Sequence, residues 1–210
     1  GYTPNSPTSP NAVIDITVND VPATTASITM IKGTTFSTQI DQVSYTFLVN
    51  ENITATPTDG IYKFSNVNIY EGTSVSYSYT VDSSDVDQRF IIPNNQADTS
   101  TLKVKIQESS SDTTTNTYNK SQTLTELDST SKVYFLQEQD DGRFEVYFGD
   151  GVLGKSLTDG NIVILEYIVT NMAQSNGASS FALGSTVGGF TNVSITTVSN
   201  AQGGSTTQSN

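Results

Sequence analysis

The sequence predicts an all-β protein made of two β-rich modules, sandwich or barrel-like, with little helix. Three observations predict it. Runs rich in Val, Ile, Thr, Tyr and Phe alternate with polar residues at period two. Asp-Gly and Glu-Gly pairs at 59–60, 71–72, 141–142, 150–151 and 159–160 punctuate those runs as turns. No 12-residue window carries the apolar stripe of a helix.

Pro4, Pro7 and Pro10 among Ser, Thr and Asn make 1–12 an extended arm, because proline fixes φ and removes a donor. Val13, Ile14, Ile16 and Val18 begin the first strand, and Asn19-Asp20-Val21-Pro22 turns it. Ile28, Met30 and Phe36 continue the pattern around Gly33, followed by β-prone runs at 45–49, 62–64 and 67–70. Residues 75–81 alternate most cleanly: Val75, Tyr77, Tyr79 and Val81 share one face, Ser76, Ser78 and Thr80 the other. Phe90-Ile91-Ile92 stops at Pro93, and the polar stretch 93–100 divides a first module, 13–100, from a second, 101–198. Within the second, Leu102 to Ile106 is a strand and 109–117 a Ser/Thr/Asp/Asn loop. Residues 123–127 suit one turn of helix or a short strand. Two runs flank Asp141-Gly142 and a third, 161–169, follows Asp159-Gly160, which together predict a three-strand meander. Residues 193–198 form a last strand and 199–210 a flexible tail.

At 210 residues the chain can bury roughly 70% of its unfolded surface without metal or disulfide support. Cysteine is absent, which excludes disulfide scaffolds, thiolate metal sites and cysteine nucleophiles and fits assembly in a reducing cytoplasm. Histidine is absent too, removing the usual base at neutral pH and the usual serine triad. The expectation is therefore a non-enzyme with no catalytic, cofactor-binding or metal site. Net charge is −12, and the nine Lys and Arg residues are scattered, so no basic stripe offers itself to nucleic acid or an anionic membrane. No small-molecule substrate is implied. No run approaches the ~20 apolar residues of a membrane span, and no secretory signal is present. The opening Gly1-Tyr2-Thr3, without an initiator Met, reads as an excised fragment of a longer chain.

Some residue groups could nonetheless carry chemistry. Asp82, Asp85 and Asp87 could ligate calcium, but the glycine and terminal Glu of a calcium loop are missing, and a solvated acidic loop is the preferred reading. Asp140, Asp141 and Asp150 could pair for glycoside hydrolysis; Asp before Gly is also what hairpin turns demand. Glu138, Glu145 and Glu166 sit in or beside strands, where cross-strand pairing with Lys or Arg is expected. Gly149, Gly154, Lys155 and Ser156 satisfy the bare spacing of a phosphate loop, but a turn and a strand follow instead of a helix. Tyr62, Tyr70, Tyr77, Tyr79, Tyr134 and Tyr147 could stack on sugars, although tyrosine is an ordinary strand residue and no Trp is available. The triplets beginning at Asn52, Asn119 and Asn192 fit the glycosylation pattern, which arises readily in so Ser/Thr-rich a chain.

Several stretches, in order, resemble one family. They are Ile31-Lys32-Gly33-Thr34-Thr35-Phe36, Tyr45-Thr46-Phe47, Glu71-Gly72-Thr73, Gln88-Arg89-Phe90-Ile91-Ile92-Pro93-Asn94 and Leu102-Lys103-Val104. Phe148-Gly149-Asp150-Gly151-Val152-Leu153-Gly154 is the most specific, with Asp159-Gly160-Asn161 and Tyr167 behind it and Ala201-Gln202-Gly203-Gly204 near the end. This pattern resembles the baseplate-J-like family, the baseplate wedge proteins of contractile-tailed phages, and within it the large wedge subunit of myophages. The polar residues 205–209 depart from it, lacking the acidic residue that follows the glycines. The resemblance implies a virion structural protein of the tail baseplate, assembled in the host cytoplasm. It implies contacts with other wedge subunits, a homodimer in the full-length protein, and a part in baseplate assembly and sheath-contraction triggering. The alternative is a bacterial surface or adhesin β-sandwich module; such modules usually repeat, and 13–100 and 101–200 show no mutual periodicity.

Overall fold

The structure is a computed structural model that describes residues 6–123 and 127–207. The fold is all-β in two modules. The strands are β1 (Asn11–Val18), β2 (Ile28–Met30), β3 (Thr35–Ile40), β4 (Val43–Leu48), β5 (Ile53–Ala55), β6 (Tyr62–Glu71), β7 (Thr73–Thr80) and β8 (Phe90–Ile91). They continue as β9 (Ala97–Gln107), β10 (Thr115–Lys120), β11 (Val133–Glu138), β12 (Phe144–Phe148), β13 (Ile162–Val169), β14 (Ala182–Leu183) and β15 (Val193–Gln202). A 3-10 turn spans Met172–Ser175. The short helix or strand expected at 123–127 falls largely outside the described residues.

The chain divides into two compact units, Val75–Tyr167 joined by Ser6, and a second built from Pro7–Ser74 with the chain from Ile168 onward. In the second unit the strand order is β14-β3-β4-β6-β1-β15, beside a β2-β5 pair. β1 shows why alternation matters: Ala12, Ile14, Ile16 and Val18 are buried while the residues between them are half-buried. Phe36, Phe47, Tyr62, Phe64 and Ile69 complete this core. Each fully buried aliphatic or aromatic side chain contributes roughly 1.5–3 kcal/mol. The described part of the arm is held: Ser6, Pro7, Ser9 and Pro10 are buried, and Thr8 and Ser205 exchange backbone hydrogen bonds at 3.0 and 3.1 Å.

In the first unit the order is β7-β13-β9-β10-β11-β12-β8. β11 and β12 form the expected hairpin, with Leu136 opposite Val146. The third strand departs from the predicted meander. β13 lies between β7 and β9, because the free edge of β12 is taken by β8, with Glu145 opposite Ile91. β10 occupies residues 115–120, part of which was expected to be loop, and it pairs β11 in parallel.

The division also differs from a split at 100/101. β9 starts at Ala97 and runs through that boundary, with Asp98 buried and its carboxylate accepting from the Ser100 amide at 2.9 Å. β15 pairs with β1 across nearly the whole chain, which puts residues 193–202 with the N-terminal strands and places Ser199–Gln202, expected as tail, inside a strand.

Candidate functional site

The β11–β12 hairpin and the loop after it hold half of the sequence's candidate residues. Gln139 and Arg143 close the hairpin (Gln139 N to Arg143 O, 2.7 Å), the Gly142 amide donates to Gln139 O at 2.9 Å, and Gly142 has φ +80°. The demand for positive φ thus falls on the glycine, as in a turn ending in a bulge. The Asp141 carboxylate accepts from the Arg143 amide (3.0 Å) and guanidinium (2.6 Å). Those Arg143 bonds hold its carboxyl below the usual carboxylate range. The Asp59-Gly60 turn differs, with positive φ at both residues, 51° and 77°, and reciprocal Thr58–Ile61 bonds of 2.9 Å.

The loop 149–155 is tied to itself and to a neighbouring turn. Asp150 Oδ1 accepts from the amides of both Val152 and Leu153 at 2.9 Å. Gly151 N donates to Gly154 O (3.0 Å), Gly154 N to Asp128 O (2.9 Å) and Lys155 N to Ser131 O (2.8 Å). Asp128 in turn accepts from the Thr130 hydroxyl and amide and the Ser131 hydroxyl. Backbone amides lower the Asp150 pKa, that of Leu153 first, and the Thr130 hydroxyl leads in lowering that of Asp128. Gly151 and Gly154 have φ of +87° and +92°. Gly149 is required for a different reason: a Cβ there would sit 2.3 Å from the carbonyl carbon of Gly154.

The hydrogen bonds of this loop differ from those of a phosphate cradle. A phosphate cradle needs free amides at a helix N-terminus. Here the five amides from Gly151 to Lys155 all have internal acceptors, two of them on the Asp150 carboxylate. The chain turns again and enters β13.

The remaining candidates serve local structure. Asp82 accepts from the Ser84 amide and hydroxyl, and Asp85 from the Asp87 amide. Among the described residues no three acidic side chains converge to hold a metal ion. Asp140, Asp141 and Asp150 are exposed, and the latter two each cap their own turn. Glu145 and Glu166 pair with cations as expected. Buried Glu145 accepts from Arg89 Nε at 2.9 Å and from its terminal guanidinium nitrogen, and Glu166 on β13 pairs with Lys105 on β9 at 3.0 Å. Tyr62 and Tyr134 are core residues, Tyr70 and Tyr79 are half-buried, and Tyr77 and Tyr147 are exposed. Tyr79 meets Phe90 edge-on at 5.7 Å, and Phe90 meets Phe148 at 5.6 Å, an arrangement of side-packed rings and not an open stacking platform.

Sequence reasoning missed Glu71, which it took as turn punctuation. It is fully buried in the second unit, accepting from the Thr170 hydroxyl (2.8 Å), the Asn171 amide (2.9 Å) and the Asn171 side chain (2.6 Å). Next to it, a Cβ on Gly72 would lie 2.3 Å from Val169 O. The available signal was a Glu ending an otherwise inward-facing strand pattern.

Residues 75–180 match the family described as bacteriophage baseplate wedge protein gp6, third domain. An alignment of 82 residues is 32% identical to the baseplate wedge protein gp6 of Enterobacteria phage T4, covering 32% of this chain and 12% of that protein. The chain thus spans a small fraction of the length of that relative. The matched region contains the Val75–Tyr167 part of the first unit, with the β11–β12 hairpin and the amide-saturated loop at 149–155. The chain belongs to the family of bacteriophage baseplate wedge protein gp6, third domain.

Proposed function

We propose that this chain is a structural module of a phage tail baseplate wedge, acting through protein–protein contacts in baseplate assembly and in triggering sheath contraction. The observation that carries the reading is the family match across 75–180. The site agrees with it, because the loop carrying the family's most specific residues has its carboxylate and amides occupied in holding its own shape. That is scaffold chemistry. The full-length protein is proposed to contact other wedge subunits, to form a homodimer, to reside in the virion after assembly in the host cytoplasm, and to act without catalysis, nucleic acid or membrane.

The test uses tail particles purified from cells producing the virus. Antibody raised against this chain should label the distal end of the tail by electron microscopy. The full-length protein should also cosediment with its wedge neighbours. Absence of the chain from tail particles, with a full-length protein that joins no larger assembly, would overturn the reading.

A further inference from the structure

The chain contains one Asn-Gly pair, Asn176-Gly177, and both residues are exposed. This pair is the asparagine sequence most open to self-modification, because glycine has no Cβ to keep its backbone nitrogen away from the preceding side chain. It lies just past the 3-10 turn in the second unit, with Gly177 at φ +90°. The asparagine also has a structural task. Its Nδ2 donates to Gly204 O at 2.9 Å, while its Oδ1 accepts from the Gly204 amide at 3.0 Å. A side-chain amide carries a donor and an acceptor side by side, so it pairs with both backbone groups of Gly204 as a neighbouring strand would.

The glycine nitrogen is engaged as well. Gly177 N donates to Ala201 O at 2.7 Å, and Ala201 N donates back to Ala178 O at 2.8 Å. The segment 201–204 thus holds both groups that would react, the side-chain amide through Gly204 and the backbone nitrogen through Ala201. Gly204 is closely fitted there: an added Cβ would sit 2.4 Å from Pro10 Cγ and 2.5 Å from Met172 O.

We propose that Asn176 is a deamidation site gated by the docking of 201–204, and that its conversion releases that segment in one direction only. When 201–204 lifts, Gly177 N loses its proton and attacks Asn176 Cγ. The Cγ–Nδ2 bond breaks, Nδ2 leaves as ammonia, and a five-membered succinimide forms. Water then adds to one of the two ring carbonyls and opens the ring to aspartate or isoaspartate. No oxidant, reductant or cofactor takes part. The carboxylate so formed has no donor at pH 7, so it still accepts from the Gly204 amide but sets an oxygen against Gly204 O. Isoaspartate also adds a methylene to the backbone ahead of Gly177 and displaces that amide from Ala201 O. Docking therefore protects the amide, and loss of the amide weakens docking, so residue 176 keeps a lasting record of local opening. The bonds involved lie within the second unit and owe nothing to family membership, so failure of this inference leaves the baseplate reading standing.

Peptide mass spectrometry after incubation at neutral pH reads the site directly, because deamidation changes the mass whereas the Asp-Gly turns can only isomerise without changing it. The folded chain should convert at Asn176 several-fold more slowly than the urea-unfolded chain. Gly204→Ala, which pushes the segment off Pro10 and Met172, should speed conversion several-fold. Asn176→Asp, made directly, should speed hydrogen exchange at the Gly177, Ala201 and Gly204 amides several-fold while the β1 amides stay protected. That variant decides the matter if Gly204→Ala unfolds the unit, which loss of β1 protection would reveal. Equal conversion in folded and unfolded chain, no gain in a folded Gly204→Ala protein, or unchanged exchange in Asn176→Asp would overturn the proposal.

Discussion

The Leu153 amide donates to the Asp150 carboxylate at 2.9 Å, and the Val152 amide does the same from the next position back. One side chain thereby closes a loop that presents two apolar residues to solvent, Val152 at 71% and Leu153 at 38% exposure. The carboxylate takes the position an anion would occupy on exposed amides, which converts a phosphate-loop spacing into a rigid turn. A fixed loop costs less ordering entropy when a partner closes on it than a mobile one would.

The glycines of that loop should separate by mechanism. Gly149→Ala drives a Cβ against Gly154 backbone and should cost about 3 kcal/mol, because backbone cannot swing aside as a side-chain end can. Gly151→Val meets Ser156 Oγ at 3.3 Å, and its penalty comes from a β-branched residue at φ +87°, about 1–3 kcal/mol. Lys155→Ala should leave stability unchanged. Urea unfolding of the three variants checks the order; a Gly149→Ala protein as stable as Lys155→Ala would contradict the packing at Gly154.

Glu71 should be among the costliest polar side chains to truncate. Glu71→Ala leaves the Thr170 hydroxyl and two Asn171 donors without their acceptor in a fully buried place, and should cost about 3 kcal/mol. Glu71→Gln keeps one acceptor oxygen but turns an amide toward those donors, so it should fall between Ala and wild type. Thermal melts would show the ranking Glu71, Gln, Ala; a Gln variant at least as stable as wild type would mean that the three bonds do not require a carboxylate.

Stability should be lost at both extremes of pH, for opposite reasons. Hydrogen bonds hold the carboxyls of Asp15, Asp82, Asp112, Asp128, Asp141 and Asp150 below their ordinary value, Asp15 chiefly through Lys63. The unfolded chain takes up protons first, so this stabilisation is complete above roughly pH 4 and drains away as pH falls through the depressed folded values. Burial pushes the hydroxyls of Tyr134 and Tyr167 up to about 12. Unfolded tyrosine ionises near roughly 10, so the folded state should weaken as pH rises from there towards 12. Melting temperature against pH should be flat across neutrality and fall at both ends. Phenolate absorbance rising to completion near pH 10 with the fold intact would contradict the burial of these two rings.

The sequence by itself determined the class and the local pieces. Period-two alternation produced β1 and β7, because each strand reads its two faces from neighbours in the chain. Gly142 made the β11–β12 hairpin where the turn residues stood, and Glu145 and Glu166 found the cationic partners their strand positions called for. The ordered family residues were legible too, since they require no knowledge of pairing.

Tertiary structure decided which strand lies beside which. Alternation says which face of a strand is buried and is silent about its neighbour, so β13 pairing between β7 and β9, β10 running parallel to β11, and β15 returning to β1 could not be read from 161–169, 115–120 or 193–202 alone. The same holds for Glu71, whose donors arrive from Thr170 and Asn171, about a hundred residues away in the chain. It holds as well for the loop at 149–155, where a phosphate-like spacing became a closed turn once Asp128 and Ser131 were brought beside it. Local pattern is written in adjacent residues, whereas sheet order and buried polar partners depend on contacts that exist only after the chain has closed on itself.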